Sequence, residues 1–193
     1  MKKLATLFSD SFHEFRHVST ITISALLAAM SMALGAHTWV LGDYIKIGFS
    51  TIPAQVAYYL FGPGFGACFG VAKDILNYIV KPTGGFFPGF TFNAMLAGVI
   101  YGLLLYKKPL SLWRIFLAEL LVAVICNMLL GTLWLAMLYD NGFLAIMPAR
   151  VLKNLVMWPI NSLIFYSVMK LLETAGMFRL INGLKTYRRA AAK

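Results

Sequence analysis

Apolar residues run through this chain in long blocks, and the polar breaks between them are short. The first block covers residues 20–36 and is followed by a loop carrying His37, Trp39, Asp43, Tyr44 and Lys46. The second, residues 49–61, is short and contains Pro53. Gly62, Pro63 and Gly64 then predict a tight turn into a third block, residues 65–80. Residues 81–89 hold two prolines and three glycines and read as a loop. Further blocks occupy residues 90–106, 112–138 and 147–172, the last two parted by Asp140, Asn141 and Gly142. A bilayer core takes about 20 apolar residues per helix. The pattern therefore predicts an all-α integral membrane protein with six transmembrane helices, within residues 19–173.

The ends differ from this middle. In residues 1–18, Leu4, Leu7, Phe8, Phe12 and Phe15 predict an amphipathic helix lying in the interface. Ser9 and Asp10 interrupt its apolar stretch and no small-residue cleavage pattern follows, which argues against a cleavable signal. Residues 174–193 form a basic tail, expected to be a short helix or disordered. Composition agrees: of 193 residues, 60% are hydrophobic and 12% charged, about half the charged share of a soluble domain.

The net charge of +10 raises the question of nucleic acid, but the cations gather at particular breaks. Lys2, Lys3 and Arg16 precede the first block, Lys107, Lys108 and Arg114 part the fourth from the fifth, and Arg179, Lys185, Arg188, Arg189 and Lys193 follow the last. An even number of spans puts these three segments on one side, and cationic loops mark the cytoplasm. Both termini are thus expected to be cytoplasmic in a cell-membrane protein. Cys68 and Cys126 lack metal-ligand spacing and are expected to be small buried hydrophobes.

Polar groups at membrane depth cost roughly 3 kcal/mol or more when charged, and they usually face protein or a cavity. Lys73, Asp74 and Asn77 fall in the third block, Asn93 in the fourth, and Glu119 and Asn127 in the fifth. Arg150, Lys153, Asn154 and Asn161 fall in the sixth. Arg150, Lys153 and Asn154 share one helix face by their three- and four-residue offsets. A cationic, amide-bearing stripe near the outer surface suits an anionic solute from outside; the plainer reading is an Arg150 that snorkels to headgroups. Lys73 and Glu119 come out at similar depths and read equally as an ion pair or as ligand contacts. Asn93 and Asn127 suit a heterocycle or, as readily, helix-to-helix hydrogen bonding. Trp39, Tyr44, Phe86, Phe87, Phe90 and Trp158 are expected on the outer side, as interface belt or stacking surface. Ala25, Ala29 and Ala33 form a row along which another helix can approach closely, within this protein or from a partner.

No Walker A motif, GxSxG, HExxH or CxxC is present, and no acidic cluster resembles a two-metal site. An enzyme is disfavoured, and neither metal nor cofactor is expected.

Three stretches together resemble the substrate-specific (S) components of energy-coupling-factor (ECF) vitamin transporters. They are the Ala25–Ala29–Ala33 row, STIPAQVAYYLFGPGFGACFGVAKDIL (residues 50–76) and PTGGFFPGFTFNAMLAGVIYG (residues 82–102). RHVSTITISALLAAMSMAL (residues 16–34) and MPARVLKNLVMWPIN (residues 147–161) are most like the folate-specific branch. The resemblance implies a compact six-helix bundle with an outward-facing ligand cavity, closed by the loop between spans one and two. It implies a high-affinity vitamin-binding subunit that works with a membrane coupling subunit and two cytoplasmic ATPases, docks through the alanine row, and topples to release its cargo. Folate, a flat pterin bearing two carboxylates, suits the candidate residues: Arg150 and Lys153 for anionic oxygens, Asn93, Asn127, Asn154, Asp74 and Lys73 for polar contacts, and Trp39, Tyr44 and Phe90 for stacking. An S component for another vitamin or pterin, and an intramembrane enzyme or structural scaffold, are the alternatives.

Overall fold

The computed structural model describes residues 2–36, 39–41, 45–80, 85–139 and 143–176. Helix α1 (Lys2–His13) continues into a 3-10 turn (Glu14–Arg16) and leads into α2 (Val18–Ala36). A small antiparallel hairpin follows, β1 (Trp39–Leu41) and β2 (Ile45–Ile47), with Trp39 opposite Ile47. Then come α3 (Thr51–Val80), α4 (Pro88–Leu105), α5 (Leu112–Val122), a π-helical segment (Ala123–Leu130), α6 (Gly131–Tyr139) and α7 (Phe143–Thr174).

Helix α3 is two crossings. Gly62 adopts φ 85° and ψ −172°, a backbone region closed to side-chain-bearing residues, and Pro63 restarts the helix. Lys73 Nζ lies 3.4 Å from the Ser50 carbonyl, whereas a straight helix would separate these positions by roughly 34 Å. The arms 51–61 and 63–80 therefore fold back antiparallel, and Tyr58 meets Phe69 edge-on at 5.9 Å. With α2, α4, the 112–139 run and α7, the chain makes six crossings. Val18–Gly35, Pro88–Leu105, Leu112–Leu138 and Ile146–Thr174 are each long and apolar enough to cross a membrane. Exposed Leu26, Ile79, Leu117, Leu129, Leu152, Leu163 and Leu171 form the apolar exterior that lipid requires.

The first α3 arm is short. About 11 residues rise only about 16 Å, so its start reaches the level of Lys73 while the second arm continues to Val80. The largest buried apolar side chains, Phe61, Phe65, Tyr101, Leu105, Ile115, Phe165 and Met169, lie in the other half of the bundle, toward α1. The hairpin half, above the short arm, carries the polar groups described below.

Helix α1 braces the α3 reversal. Buried Ser11 donates to the Phe61 carbonyl at 2.6 Å and accepts from the Phe65 N–H at 2.8 Å. One hydroxyl thus satisfies two backbone groups released by the Gly62 break. Phe15 packs tilted against Phe65 at 4.6 Å, while Phe12 is 53% exposed. Lys107 pairs with Asp10 at 2.6 Å; hydrogen-bonded to that ammonium, the Asp10 carboxyl is held below its usual range.

Two expectations fail here. Cys126 is buried, but Cys68 is exposed. Gly66 and Gly70 face α4, and a residue two positions from Gly66 lies about 200° round the helix, so Cys68 points outward. Trp158 does not join Phe87 and Phe90 at the hairpin end: it donates to the Phe116 carbonyl at 2.9 Å, near the start of α5 at the α1 end of the bundle. The basic tail beyond Gly176 lies outside the described residues.

Candidate ligand-binding site

The polar side chains of the hairpin half meet around the π-helical segment. In such a turn the backbone closes from residue i to i−5, and carbonyls are displaced from the regular ladder. Two of them receive side chains from neighbouring helices. Asn93 Nδ2 on α4 donates to the Cys126 carbonyl at 2.8 Å, and Arg150 Nη2 on α7 donates to the Asn127 carbonyl at 3.0 Å. Asn93 Oδ1 accepts the Trp134 indole N–H at 3.3 Å. Phe87 packs on Trp134 at 5.6 Å, and Phe90 meets Phe87 edge-on at 6.1 Å. Asn93, Arg150, Trp134 and Phe90 thus belong to one cluster built by α4, the π segment, α6 and α7.

Arg150 carries the strongest chemistry. Its Nε is buried without a hydrogen-bond partner, and among the described residues no carboxylate pairs with it. A backbone carbonyl supplies a dipole but no countercharge, so the positive charge stays available to an anion. Lys153, one turn along, is half-buried. Asn154 is 7% exposed and its amide donates back to the Arg150 carbonyl at 2.9 Å. Deeper on α7, Asn161 Oδ1 is buried without a partner.

On the neighbouring arm of α3, Asp74 accepts from Thr91 of α4 at 2.8 Å. Lys73 lies beside Ser50 rather than Glu119, and the ion pair considered from depth counting does not form. Glu119, 6% exposed, instead accepts from Gln55 Nε2 at 2.7 Å and from the Tyr101 hydroxyl at 2.9 Å, toward the α1 half. Depth alone does not say which way a side chain faces: Glu119 turns to Gln55 and Tyr101, and Lys73 to Ser50. Asn127 takes part through its carbonyl, and its side chain is exposed. Tyr44 and the side chain of Trp39 lie outside the described residues.

Sequence reading missed Trp134, Thr91, Gln55 and Tyr101. Trp134 had a signal, an aromatic within two turns of the Asp140 break; Gln55 was obscured by the short span holding it. The Gln55–Tyr101–Glu119 network predicts an asymmetry. Glu119→Ala leaves the buried Tyr101 hydroxyl without its acceptor, at about 1–3 kcal/mol, and leaves Gln55 Nε2 with only its 3.1 Å bond to the Tyr101 oxygen; it is expected to lower the melting temperature in detergent. Glu119→Gln is expected to stay near wild type, because Gln55 can turn its amide and use Oε1, which now has no partner. Equal melting of the two variants would show that the network adds no stability.

A cavity of about 520 Å³ opens at the opposite, α1 end, lined by Asp10, His13, Glu14, Arg16, His17, Tyr106 and Lys107. Its acids and bases are interspersed and Asp10 is already paired with Lys107, so it offers a flat dianion less than the Arg150 cluster does.

Comparison with known proteins places this geometry. The chain is 33% identical over 129 residues, 67% of this chain and 75% of the relative, to the folate transporter FolT of Clostridium novyi. It is 34% identical over 148 residues, 74% of this chain and 80% of the relative, to the folate transporter FolT of Leuconostoc mesenteroides. A crystal structure of FolT bound with folic acid superposes with a TM-score of 0.73 at 32% identity, covering 79% of this chain and 93% of that one. A family-wide match to the ECF transporter, substrate-specific component, runs over residues 19–169. The chain, a multi-pass membrane protein, therefore belongs to the substrate-specific components of ECF transporters.

Proposed function

We propose that this protein is the folate-binding subunit of an ECF-type importer, a binding protein rather than an enzyme. It captures folate from outside and passes it inward through a coupling subunit driven by two ATPases. The observation that carries the reading is Arg150, which pairs with no carboxylate among the described residues and keeps a buried, unpartnered Nε in one cluster with Asn93. In this reading the half of the bundle above the short α3 arm holds the outward-facing cavity, the β1–β2 hairpin covers it, and both termini are cytoplasmic. Arg150 and Lys153 take anionic oxygens, Asn93, Asp74 and Asn154 answer the polar edge of the pterin, and Phe90 offers it a ring face. The folate transporters that this chain is similar to support the choice of ligand.

Trp134, hydrogen-bonded to Asn93, makes intrinsic fluorescence a direct test. Titration of the purified protein with folate is expected to change emission with saturation, and Trp134→Phe to remove most of that change. No fluorescence response and no calorimetric heat at micromolar folate would end the folate assignment; riboflavin and thiamine in the same assay would test the other-vitamin reading.

The coupling partner is proposed to dock on α2. Ala25, Ala29 and Ala33 are exposed, whereas Ser24, Ala28 and Ser31 turn into the bundle. Ala29→Trp is expected to leave folate binding unchanged and to abolish uptake in cells that supply the coupling module. Loss of binding by this variant would instead assign the row to internal packing.

A further inference from the structure

Gly131 sits where the π-helical segment hands over to α6, and its N–H donates to the Cys126 carbonyl. The same carbonyl also accepts Asn93 Nδ2 at 2.8 Å. A β-carbon built on Gly131 would stand 2.8 Å from the Cys126 oxygen, 2.9 Å from Arg150 Nη2 and 3.6 Å from Asn93 Nδ2. Both groups that α4 and α7 send into this cluster thus converge on the space left by one absent side chain.

We infer that Gly131 is a positioning residue for ligand capture: its missing side chain lets the Arg150 guanidinium lie against the π segment with Nε turned to the ligand. This rests on the reading that Arg150 meets the ligand's anionic group, and it adds how that group is aimed. Nη2 is fixed on the Asn127 carbonyl, a contact that orients the guanidinium without neutralising it. Nε remains buried and unpartnered. It is the donor a carboxylate or ring oxygen would complete, alongside the remaining Nη hydrogens in the planar fork. Regular α-helical backbone would keep the 126 and 127 carbonyls in its own ladder; the π turn brings them to the side chains of two other helices. A methyl group at position 131 meets a flexible guanidinium on one side and fixed backbone on the other. The guanidinium is the group that shifts.

The experiment is a double-mutant cycle on folate affinity with wild type, Gly131→Ala, Arg150→Ala and the double variant, each checked by thermal unfolding. Gly131→Ala is expected to weaken folate by about tenfold or more, and to add nothing once Arg150 is already alanine. Wild-type affinity in Gly131→Ala, or a loss that persists in the Arg150→Ala background, overturns the inference while leaving the folate reading intact. Failure of the wild type to bind folate would sink that reading itself. If Gly131→Ala does not fold, Arg150→Lys decides. Its ammonium keeps the charge but has no planar fork to hold a carbonyl and a ligand oxygen together, so it is expected to bind clearly more weakly than wild type. Wild-type affinity in Arg150→Lys overturns the inference.

Discussion

Gly98→Leu is expected to yield no monodisperse protein on size-exclusion chromatography and no folate binding. The second arm of α3 and α4 approach so closely that their backbones touch. A β-carbon on Gly98 would lie 2.2 Å from the Gly66 carbonyl oxygen, and one on Gly70 would lie 2.3 Å from the Ala94 oxygen. One on Gly102 would lie 2.4 Å from the Pro63 Cα. These neighbours are main chain, so no side chain can swing aside, and the cost exceeds the roughly 1–3 kcal/mol of ordinary overpacking. Helices in lipid associate through van der Waals packing, for which small residues at four-residue spacing are the means. The same contact holds Asp74 against Thr91, so parting the helices would disturb the proposed ligand site as well. Cys68→Leu, on the exposed face of the same arm, is the control and should purify like wild type. A monodisperse, folate-binding Gly98→Leu would show that α3 and α4 do not meet at these glycines.

That seam also shows what was legible beforehand. Six crossings followed from block length, because a bilayer demands continuous apolar helix and leaves few alternatives. The alanine row of α2 was visible as a row, and the structure adds which way it faces: outward, while the Ser24–Ala28–Ser31 side packs inward. The row joining the two helices of the seam, Gly66 and Gly70 against Ala94, Gly98 and Gly102, obeys the same spacing, yet spacing alone does not say which of several small-residue rows meets a partner within the chain. Of the candidate site, Arg150 and Asn93 were legible because charge and amide at membrane depth need an explanation. The reason they converge was not. It lies in a π turn, a backbone feature with no composition of its own. Nor does depth counted from block ends say which way a side chain faces, as Glu119 turned to Gln55 and Lys73 turned to Ser50 show.

The second large effect is expected from Arg150→Ala. Its loss should raise the folate dissociation constant by roughly thirty- to a thousandfold, which corresponds to about 2–4 kcal/mol. Two costs combine in that figure. The ligand's anionic group loses a charge-assisted, fork-shaped donor, and it remains in a low-dielectric site where a partnerless anion is expensive. The free protein loses less, since Arg150 makes one bond to a carbonyl and compensates no carboxylate among the described residues. Its melting temperature without ligand should therefore stay close to wild type while the stabilisation by added folate disappears. Lys153→Ala should fall between the two, because a flexible ammonium contributes charge without the planar geometry of the fork. Isothermal titration of the three proteins, with melting curves at zero and saturating folate, separates affinity from folding. An Arg150→Ala protein that binds folate as tightly as wild type would remove the cation from the site and, with it, the physical ground for placing an anionic vitamin there.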